Sequence, residues 1–471
     1  MNMLCWLNAS DLCKQYALGG VNPTDVVAAT LARAQECEPK LNSLYLTKSE
    51  SARAAAAESA ARWGEGRALS PIDGVPITLK ENLYTLGDPA PIGTGANSVA
   101  PKTANSPIAD RVQEAGLVLI GKTTMPDFGM LSSGQSSFHG VTRNPWQPSR
   151  NPGGSSSGAG AACAAGYGPL HIGTDIGGSV RIPASFCGIY GLKPSLGRVS
   201  INPPYMGRVA GPMTRTVLDA ALLMNVISRP DPAHRDFMSL PSQPVDYAAE
   251  LDRFSLKGKR IGVIADMRVG LDVQRDVAAA TWECGQLLER HGALVEPMQP
   301  FITRDMLDGV GGFFEARSYA DISRLSEALR EKILPFIVHW ALHRAAGFSG
   351  DTVMGFYSQI MMMREATVAA TQRYDFVISP VCPIPAFKAE HCSPDNDPEH
   401  ALSHIAFTVP YNMSEQPAAS INWGYSTDPA SVGLPIGVQV AGRRFDDLGV
   451  LQLSRVIEQL RPKQRPWPIR I

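Results

Sequence analysis

The stretch GTDIGGSVRIPASFCGIYGLKPS, residues 173–195, decides the fold class of this chain. It continues the short run GPLHI, which is typical of a buried strand. Two further apolar runs of this kind, GVPITLK at 74–80 and GLVLIGK at 116–122, lie upstream. Helical patterns separate these runs and later ones, and strands that alternate with helices favour an α/β fold. We therefore predict a buried, mixed and mostly parallel sheet.

A second stretch, NPGGSSSGAGAACAAG at 151–166, allows several interpretations. It matches the G-x-S-x-G pattern of a nucleophile elbow, with Ser156 as the nucleophile. That elbow requires a strand running directly into the serine. The preceding residues, NPWQPSRNP, contain three prolines, and proline is excluded from the interior of a sheet. The sequence thus argues against an elbow at Ser156.

Two other motif matches also fail in context. GLVLIGKT at 116–123 fits the phosphate-loop pattern, but its middle residues are Leu-Val-Leu-Ile, which favour a strand over a loop. HWALH places His339 and His343 four residues apart on a helix, but Trp340 stands where a zincin needs glutamate. We therefore interpret the two histidines as surface or packed helix residues, and we expect no metal and no cofactor.

Several segments, taken together and in order, resemble the amidase signature family. These are PIDGVPITLKEN (71–82), GVTRNPW (140–146), the Gly-Ser stretch, the D-x-G-G-S-x-R-x-P run with its downstream G-x-x-G-L-K-P, and GLPIGVQVAGRRFDD (433–447). The resemblance runs from about residue 10 to the end and is strongest at 71–200. It implies a large central sheet covered by helices on both faces. It also implies a catalytic triad of Lys80, Ser155 and Ser179, with a cis peptide bond at Ser155.

The implied chemistry suits these residue types. The Ser179 hydroxyl needs a base before it can attack a carbonyl, and Ser155 can pass its proton to Lys80. Desolvation lowers the pKa of a buried lysine and so favours its neutral form. The two glycines before Ser179 allow the N–H groups of Ile176, Gly177, Gly178 and Ser179 to form an oxyanion hole. Asp175 and Arg181 are expected to be structural ion partners, and Glu81 to point away from Lys80.

Composition limits the remaining possibilities. The chain has 471 residues, 44% hydrophobic and 18% charged, and a net charge of −1, so no basic surface for nucleic acid is indicated. Its eight cysteines show no paired spacing, and neither a signal peptide nor a long apolar run is apparent. We expect a cytoplasmic protein. We also expect one amidase domain over 1–471, with N-terminal helices at 1–65, a catalytic core at 71–200 and a helical insertion at 301–372.

The substrate pocket is expected to draw on two segments. The first is DFGMLSSG at 127–134, and the substrate-binding residues predicted from it and from the serine triplet are Gly129, Met130, Leu131, Ser132 and Ser156. The second is the insertion, whose aromatic and methionine residues suit an aryl or other hydrophobic acyl group. These include Phe313, Phe314, Trp340, Phe348 and Met361 to Met363. Glu415, where the family usually has glycine, is expected to influence substrate choice.

The predicted function is hydrolysis of a carbon–nitrogen bond in a small-molecule amide or carbamate, with side activity on urethanes or esters. The predicted partners are that substrate alone, without nucleic acid or membrane, for a monomer or homodimer. The alternative is the glutaminase-type amidase subunit of a tRNA-dependent amidotransferase. Against it, the region HRAAGFSGDTVMGFY at 343–357 lacks the R-x-x-L-G-T-[YF] stretch associated with that subunit.

Overall fold

A computed structural model describes residues 3–241 and 245–468. Residues 1–2, 242–244 and 469–471, which the predicted domain of 1–471 includes, lie outside the described residues. Within these ranges, no helix combines the length and the apolar character needed to cross a membrane.

The centre of the molecule is an eleven-stranded sheet, and a separate two-stranded ribbon, β4–β5, lies near the serine stretch. The strands are β1 (Leu44–Thr47), β2 (Pro76–Lys80), β3 (Val118–Thr123), β4 (Gln135–Ser136), β5 (Gly140–Val141), β6 (Leu170–Asp175), β7 (Tyr190–Lys193), β8 (Val209–Thr214), β9 (Arg260–Val263), β10 (Leu294–Pro297), β11 (Phe376–Pro380), β12 (Ala418–Tyr425) and β13 (Pro435–Gly442).

The strand order is β1-β3-β2-β6-β8-β7-β12-β13-β11-β9-β10. Parallel pairing holds in two blocks, β3–β2–β6 and β11–β9–β10. Antiparallel pairs from β6 to β11 join the two blocks, and β1 adds an antiparallel edge strand to β3. The predicted mixed sheet is therefore confirmed, and its parallel strands are concentrated toward its two sides.

Fifteen α-helices accompany the sheet within the described residues. They are α1 (Ala9–Ala17), α2 (Pro23–Leu41), α3 (Ser49–Gly64), α4 (Pro107–Glu114), α5 (Ser157–Ala165), α6 (Arg181–Cys187), α7 (Val217–Ile227), α8 (Tyr247–Glu250), α9 (Arg275–Arg290), α10 (Arg304–Ile322), α11 (Glu327–Arg330), α12 (Pro335–Leu342), α13 (Gly350–Thr371), α14 (Val409–Met413) and α15 (Asp447–Leu460).

Both faces of the sheet are covered. Alternate strand residues point to opposite faces, and in β13 Val440 packs into a core with helices α7, α9 and α15, whereas Ala441 packs with α6. On the α6 side, helix α5 is buried at every position because its residues are Gly, Ala, Ser and Cys. Such small side chains let the helix lie close to β2, β3 and β6.

The N-terminal segment was predicted to be helical, but it also contains a strand. β1 lies between α2 and α3 and pairs with β3. Helix α2 begins at Pro23, and the Asn22 side chain caps it by accepting from the Thr24 N–H. The rejected phosphate-loop match is β3, as predicted, and its lysine, Lys122, is buried in the sheet.

Candidate active site

Lys80 is the last residue of β2, at the carboxyl end of the parallel block β3–β2–β6. Ligand sites of open α/β sheets lie at this edge. The Lys80 side chain is fully buried, and its Nζ lies within hydrogen-bonding distance of three hydroxyl oxygens: Ser155 Oγ at 2.8 Å, Ser156 Oγ at 3.1 Å and Thr174 Oγ1 at 3.0 Å. The Gly154–Ser155 peptide bond is cis. The structure therefore joins the predicted lysine and relay serine directly.

The surroundings of Lys80 favour its uncharged form. Burial lowers the pKa of the Lys80 ammonium well below its usual range, and the positive charge of Arg208 lowers it further. Asp175 and Glu81 act in the opposite direction but do not outweigh burial. Glu81 itself points away, as predicted, and accepts from the Gly93 N–H and from His139.

Ser156 lies behind the site. It is fully buried, its Oγ donates to the Thr174 carbonyl and accepts from Lys80, and it does not line the cavity. Ser156, which was predicted to contact substrate, is therefore not among the residues that the structure places at the cavity. Its hydroxyl points into the protein because helix α5 starts at the next residue and turns the chain away from the cavity.

Ser179 lies on the turn between β6 and α6 and, like Ser155, faces the cavity. Its Oγ makes no hydrogen bond to any described residue. The Gly178 N–H donates to Asp175 Oδ1 at 2.8 Å, whereas the N–H groups of Ile176, Gly177 and Ser179 have no partner among the described residues. Three of the four N–H groups predicted for the oxyanion hole are therefore available, and the fourth, that of Gly178, is occupied.

Asp175 and Arg181 hold this turn in shape. They form a fully buried ion pair at 2.9 Å, in agreement with the structural role expected from the sequence. Burial by itself raises the pKa of Asp175, but the adjacent Arg181 guanidinium outweighs it and holds this pKa well below its usual range. Arg181 also donates to the Thr408 carbonyl, to Gln439 and to Asn412. The turn is thereby tied to α14 and β13.

A cavity of about 280 Å³ opens above the serines. Four of the five predicted substrate-binding residues line it: Gly129, Met130, Leu131 and Ser132. The predicted insertion supplies another wall through Phe314, Ser318 and Trp340. Phe348 lies instead in a neighbouring cavity, and Met361 to Met363 line neither.

Sequence reasoning missed the charged residues of this cavity. Arg208, Arg317 and Asp321 line it, and none of them forms an ion pair with a described residue. Burial lowers the pKa of Arg208 to about 10, and the Arg317 guanidinium lies 4.0 Å from the centre of the Tyr205 ring. Arg208 precedes β8 and the other two lie on α10, and no motif spacing links them. Asn82 and Thr174, also missed, lie inside quoted motifs and could have been found there.

Glu415 does not line the cavity, although it was expected to influence substrate choice. Its carboxylate pairs with Arg364 at 2.7 Å and with Arg444. Its φ of +67° is the left-handed conformation that glycine adopts most easily, which accounts for the glycine expected at this position.

A serine at a glycine-rich turn, free N–H groups beside it, and a second serine hydrogen-bonded to a buried lysine together form a site of the serine-hydrolase type. A family model described as Amidase matches residues 25–451. The chain belongs to the amidase signature family, and it is an amidase, an enzyme that hydrolyses carbon–nitrogen bonds.

Named relatives cover nearly the whole chain. The A subunit of glutamyl-tRNA(Gln) amidotransferase from Chloroflexus aggregans is 32% identical over 98% of this chain and 97% of its own length. The corresponding protein of Myxococcus xanthus is 32% identical over 96% of this chain and 97% of its own. Among solved structures, a bacterial aryl acylamidase of the amidase signature family is similar with a TM-score of 0.87 and 26% identity, over 97% of this chain and 96% of its own.

These relatives correct the predicted partners. The expectation of a small-molecule substrate alone, without nucleic acid and as a monomer or homodimer, is wrong, because the curated relatives are named as one component of an amidotransferase of glutamyl-tRNA(Gln). The prediction was based on the net charge of −1. Net charge indicates whether this surface binds RNA directly. It does not indicate whether the chain is one component of an enzyme that acts on tRNA.

Proposed function

We propose that this chain is the glutaminase-type amidase subunit of a tRNA-dependent amidotransferase, which hydrolyses the side-chain amide of glutamine and supplies ammonia to a partner. The observation that carries the proposal is the set of unpaired charges in the cavity, Arg208, Arg317 and Asp321. Glutamine carries an α-carboxylate and an α-ammonium, and the two guanidinium groups and the carboxylate of these half-buried and exposed residues have the signs that pair with them. The names of the curated relatives agree with this assignment.

The positions of these charges suit an amino acid. Arg208 and Arg317 are close enough for the charge of Arg317 to lower the Arg208 pKa, so the two guanidinium groups together form an anion-binding wall. Asp321 lies four residues after Arg317 on α10, one helical turn away. In this chain, which lacks the R-x-x-L-G-T-[YF] stretch, we assign recognition of the amino-acid head group to these residues of α10.

The proposed reaction starts at Ser179. Its Oγ attacks the amide carbon, and its proton passes through Ser155 to Lys80. A neutral amine has two N–H groups and one lone pair. We assign the two N–H groups of Lys80 to Ser156 Oγ, whose own proton is used on the Thr174 carbonyl, and to Thr174 Oγ1 at 3.0 Å. The lone pair is left for the Ser155 proton.

Two further elements complete the cycle. The N–H groups of Ile176, Gly177 and Ser179 stabilise the oxyanion of the tetrahedral intermediate. Lys80 and Ser155 then return the proton to the leaving nitrogen, and water hydrolyses the acyl-enzyme on Ser179 by the same relay. We also propose a cytoplasmic location, in keeping with eight cysteines that are all free.

A second candidate substrate is an amide or carbamate with an aryl or other hydrophobic acyl group, with urethane or ester side activity. It is favoured by the apolar part of the cavity wall, which includes Phe128, Leu131 and Trp340, and by the likeness to an aryl acylamidase.

The test compares three substrates under the same conditions: glutamate release from L-glutamine, and aromatic amine release from an anilide and from the matched N-aryl carbamate. Ser179→Ala is the blank for all three. We expect glutamine hydrolysis, with formation of glutaminyl-tRNA when the other amidotransferase subunits, glutamyl-tRNA(Gln) and ATP, which activates the glutamyl carboxylate, are added. Arg317→Gln should raise KM for glutamine at least tenfold and leave any anilide hydrolysis unchanged, since each 1.4 kcal/mol of lost binding is tenfold. Release from the anilide or carbamate alone would reject the glutaminase assignment in favour of the second candidate.

A further inference from the structure

A cluster of potential metal ligands lies outside the catalytic cavity, on the solvent side of α12. His339 lies in this helix and His343 directly follows it, and their rings stack with centroids 4.6 Å apart. Glu399 lies in a short 3-10 turn, Pro398–His400, that packs against the same helix. One ligand atom from each of the three residues lies within 4.8 Å of the others. All three side chains are exposed.

We propose that His339, His343 and Glu399 form a binding site for a divalent transition-metal ion, with Zn²⁺ as the preferred ion. Two imidazoles and one carboxylate are common zinc ligands, and they leave a fourth position for water. Tetrahedral Zn²⁺ at about 2.0–2.1 Å from nitrogen or oxygen needs donor atoms about 3.3–3.5 Å apart. Rotations of these exposed side chains can close the remaining distance.

The carboxylate of Glu399 is oriented for this role. Its Oε1 faces His339 Nε2 at 3.8 Å, whereas its Oε2 faces Arg344 Nη1, also at 3.8 Å. Arg344 is held in turn by Glu315 at 2.9 Å. Polar groups behind the ligands commonly orient them in metal sites, and Arg344 stands behind Glu399 at ion-pair distance. The two carboxylates and one guanidinium leave a net negative charge of one to attract the ion.

The site would connect two parts of the cavity wall. Trp340, next to His339, and Leu402, three residues after Glu399, both line the catalytic cavity and a second cavity of about 450 Å³. Besides packing, the Pro398–His400 turn is linked to His339 and Arg344 by the carboxylate of Glu399, through contacts of 3.8 Å. A bound ion would therefore tie the turn to α12 and stabilise the wall that separates the two cavities.

The experiment uses the full chain without a histidine tag, stripped of metal by a chelator. Zn²⁺ is titrated in the presence of a chromophoric chelator, and the thermal midpoint is measured with and without Zn²⁺. We expect one ion per chain and a rise in the thermal midpoint. His343→Ala and Glu399→Gln should each weaken Zn²⁺ binding at least about tenfold, since even the loss of a supporting residue costs that much. His291→Ala, another exposed histidine at the end of α9, is the matched control and should bind Zn²⁺ as the wild type does.

Three other outcomes would each reject the proposed zinc site. Absence of stoichiometric Zn²⁺ binding by the folded wild-type chain would do so directly. Binding that survives in both His343→Ala and Glu399→Gln would place the ion elsewhere, for example on cysteines. An equal loss in His291→Ala would indicate nonspecific binding. Circular dichroism of each variant separates loss of the site from loss of the fold.

Discussion

The guanidinium of Arg181 contacts both carboxylate oxygens of Asp175, with Nη2 at 2.9 Å from Oδ1 and Nε at 3.0 Å from Oδ2. The same carboxylate accepts the N–H groups of Gly178 and Val180. One buried ion pair thus fixes the backbone on both sides of Ser179, although neither residue moves a proton in the proposed reaction.

Replacing Arg181 should therefore destabilise the protein. Arg181→Leu leaves the Asp175 charge buried and unpaired, and breaking one side of a buried pair costs about 3–5 kcal/mol. Urea unfolding measures this loss. Arg253→Ala, which removes an exposed pair with Glu250, is the control and should cost about 0–1 kcal/mol. Equal losses in the two variants would contradict the structural role of the pair.

The three serines should differ sharply in activity. Ser179→Ala and Ser155→Ala remove the proposed nucleophile and relay, and each should lower kcat at least about 10³-fold. Ser156→Ala removes two hydrogen bonds to the Thr174 backbone and one to Lys80, of which only the bond to Lys80 touches the relay, and it removes no group that faces the cavity. Such a bond contributes about 1 kcal/mol, so we expect a loss of no more than about tenfold. Steady-state kinetics with the active substrate provide the measurement. A larger loss in Ser156→Ala than in Ser179→Ala would restore the nucleophile elbow.

The two glycines before Ser179 should respond differently to alanine. Gly178 has φ +125°, and a Cβ there would lie 2.6 Å from Thr408 Oγ1 and 2.8 Å from Ile182 Cδ1. At Gly177 the nearest atom is Ile405 Cδ1 at 3.4 Å. Gly178→Ala must shift the turn and should reduce kcat/KM at least about 100-fold, the cost of a lost oxyanion contact. Gly177→Ala keeps its N–H and should retain most activity, and comparable losses in both would argue against this geometry.

The pH dependence of the reaction should depend on Arg208. In the proposed relay Lys80 must be neutral, so kcat/KM rises with pH as Lys80 loses its proton. The cation of Arg208 helps to lower the Lys80 pKa. Arg208→Gln removes this repulsion, which raises the Lys80 pKa and moves the acid limb of the pH profile to higher pH. Arg317→Gln, which is not among the charges acting on Lys80, is the control and should leave the limb in place. A limb that does not move in Arg208→Gln would exclude Lys80 as the base.

Stability should increase from pH 7 to pH 8.5 through Lys122. Burial lowers the pKa of Lys122 to about 7, whereas an unfolded chain keeps lysine near about 10.4. Between these values the unfolded state binds more protons than the folded state. The free energy of unfolding therefore increases as pH rises above 7 and decreases as pH falls toward 7. The expected gain over this window is about 1–2 kcal/mol. Urea unfolding at each pH measures it, and Lys122→Met should show a correspondingly smaller slope. Parallel slopes in both proteins would mean that Lys122 is charged in the folded state.

The sequence predicted those parts of the site that lie within short continuous motifs. Lys80 ends its strand, and Ser155 and Ser179 lie in glycine-rich loops, so short local motifs were enough to predict these three residues. The charged residues of the cavity come together only because β8 and α10 pack around it. Their spacing along the sequence therefore could not predict that Arg208, Arg317 and Asp321 are neighbours. β1 was missed for a similar reason, since its four residues are a strand only through pairing with β3.

The cavity draws its reactive groups from residues 80–179 and much of its outer wall from residues 304–342. Mutations in the second segment can therefore alter which molecules enter while the reacting atoms stay in place. Substrate specificity can therefore change during evolution through residues 304–342, which can diversify under relaxed selection, while residues 80–179 remain under strong constraint.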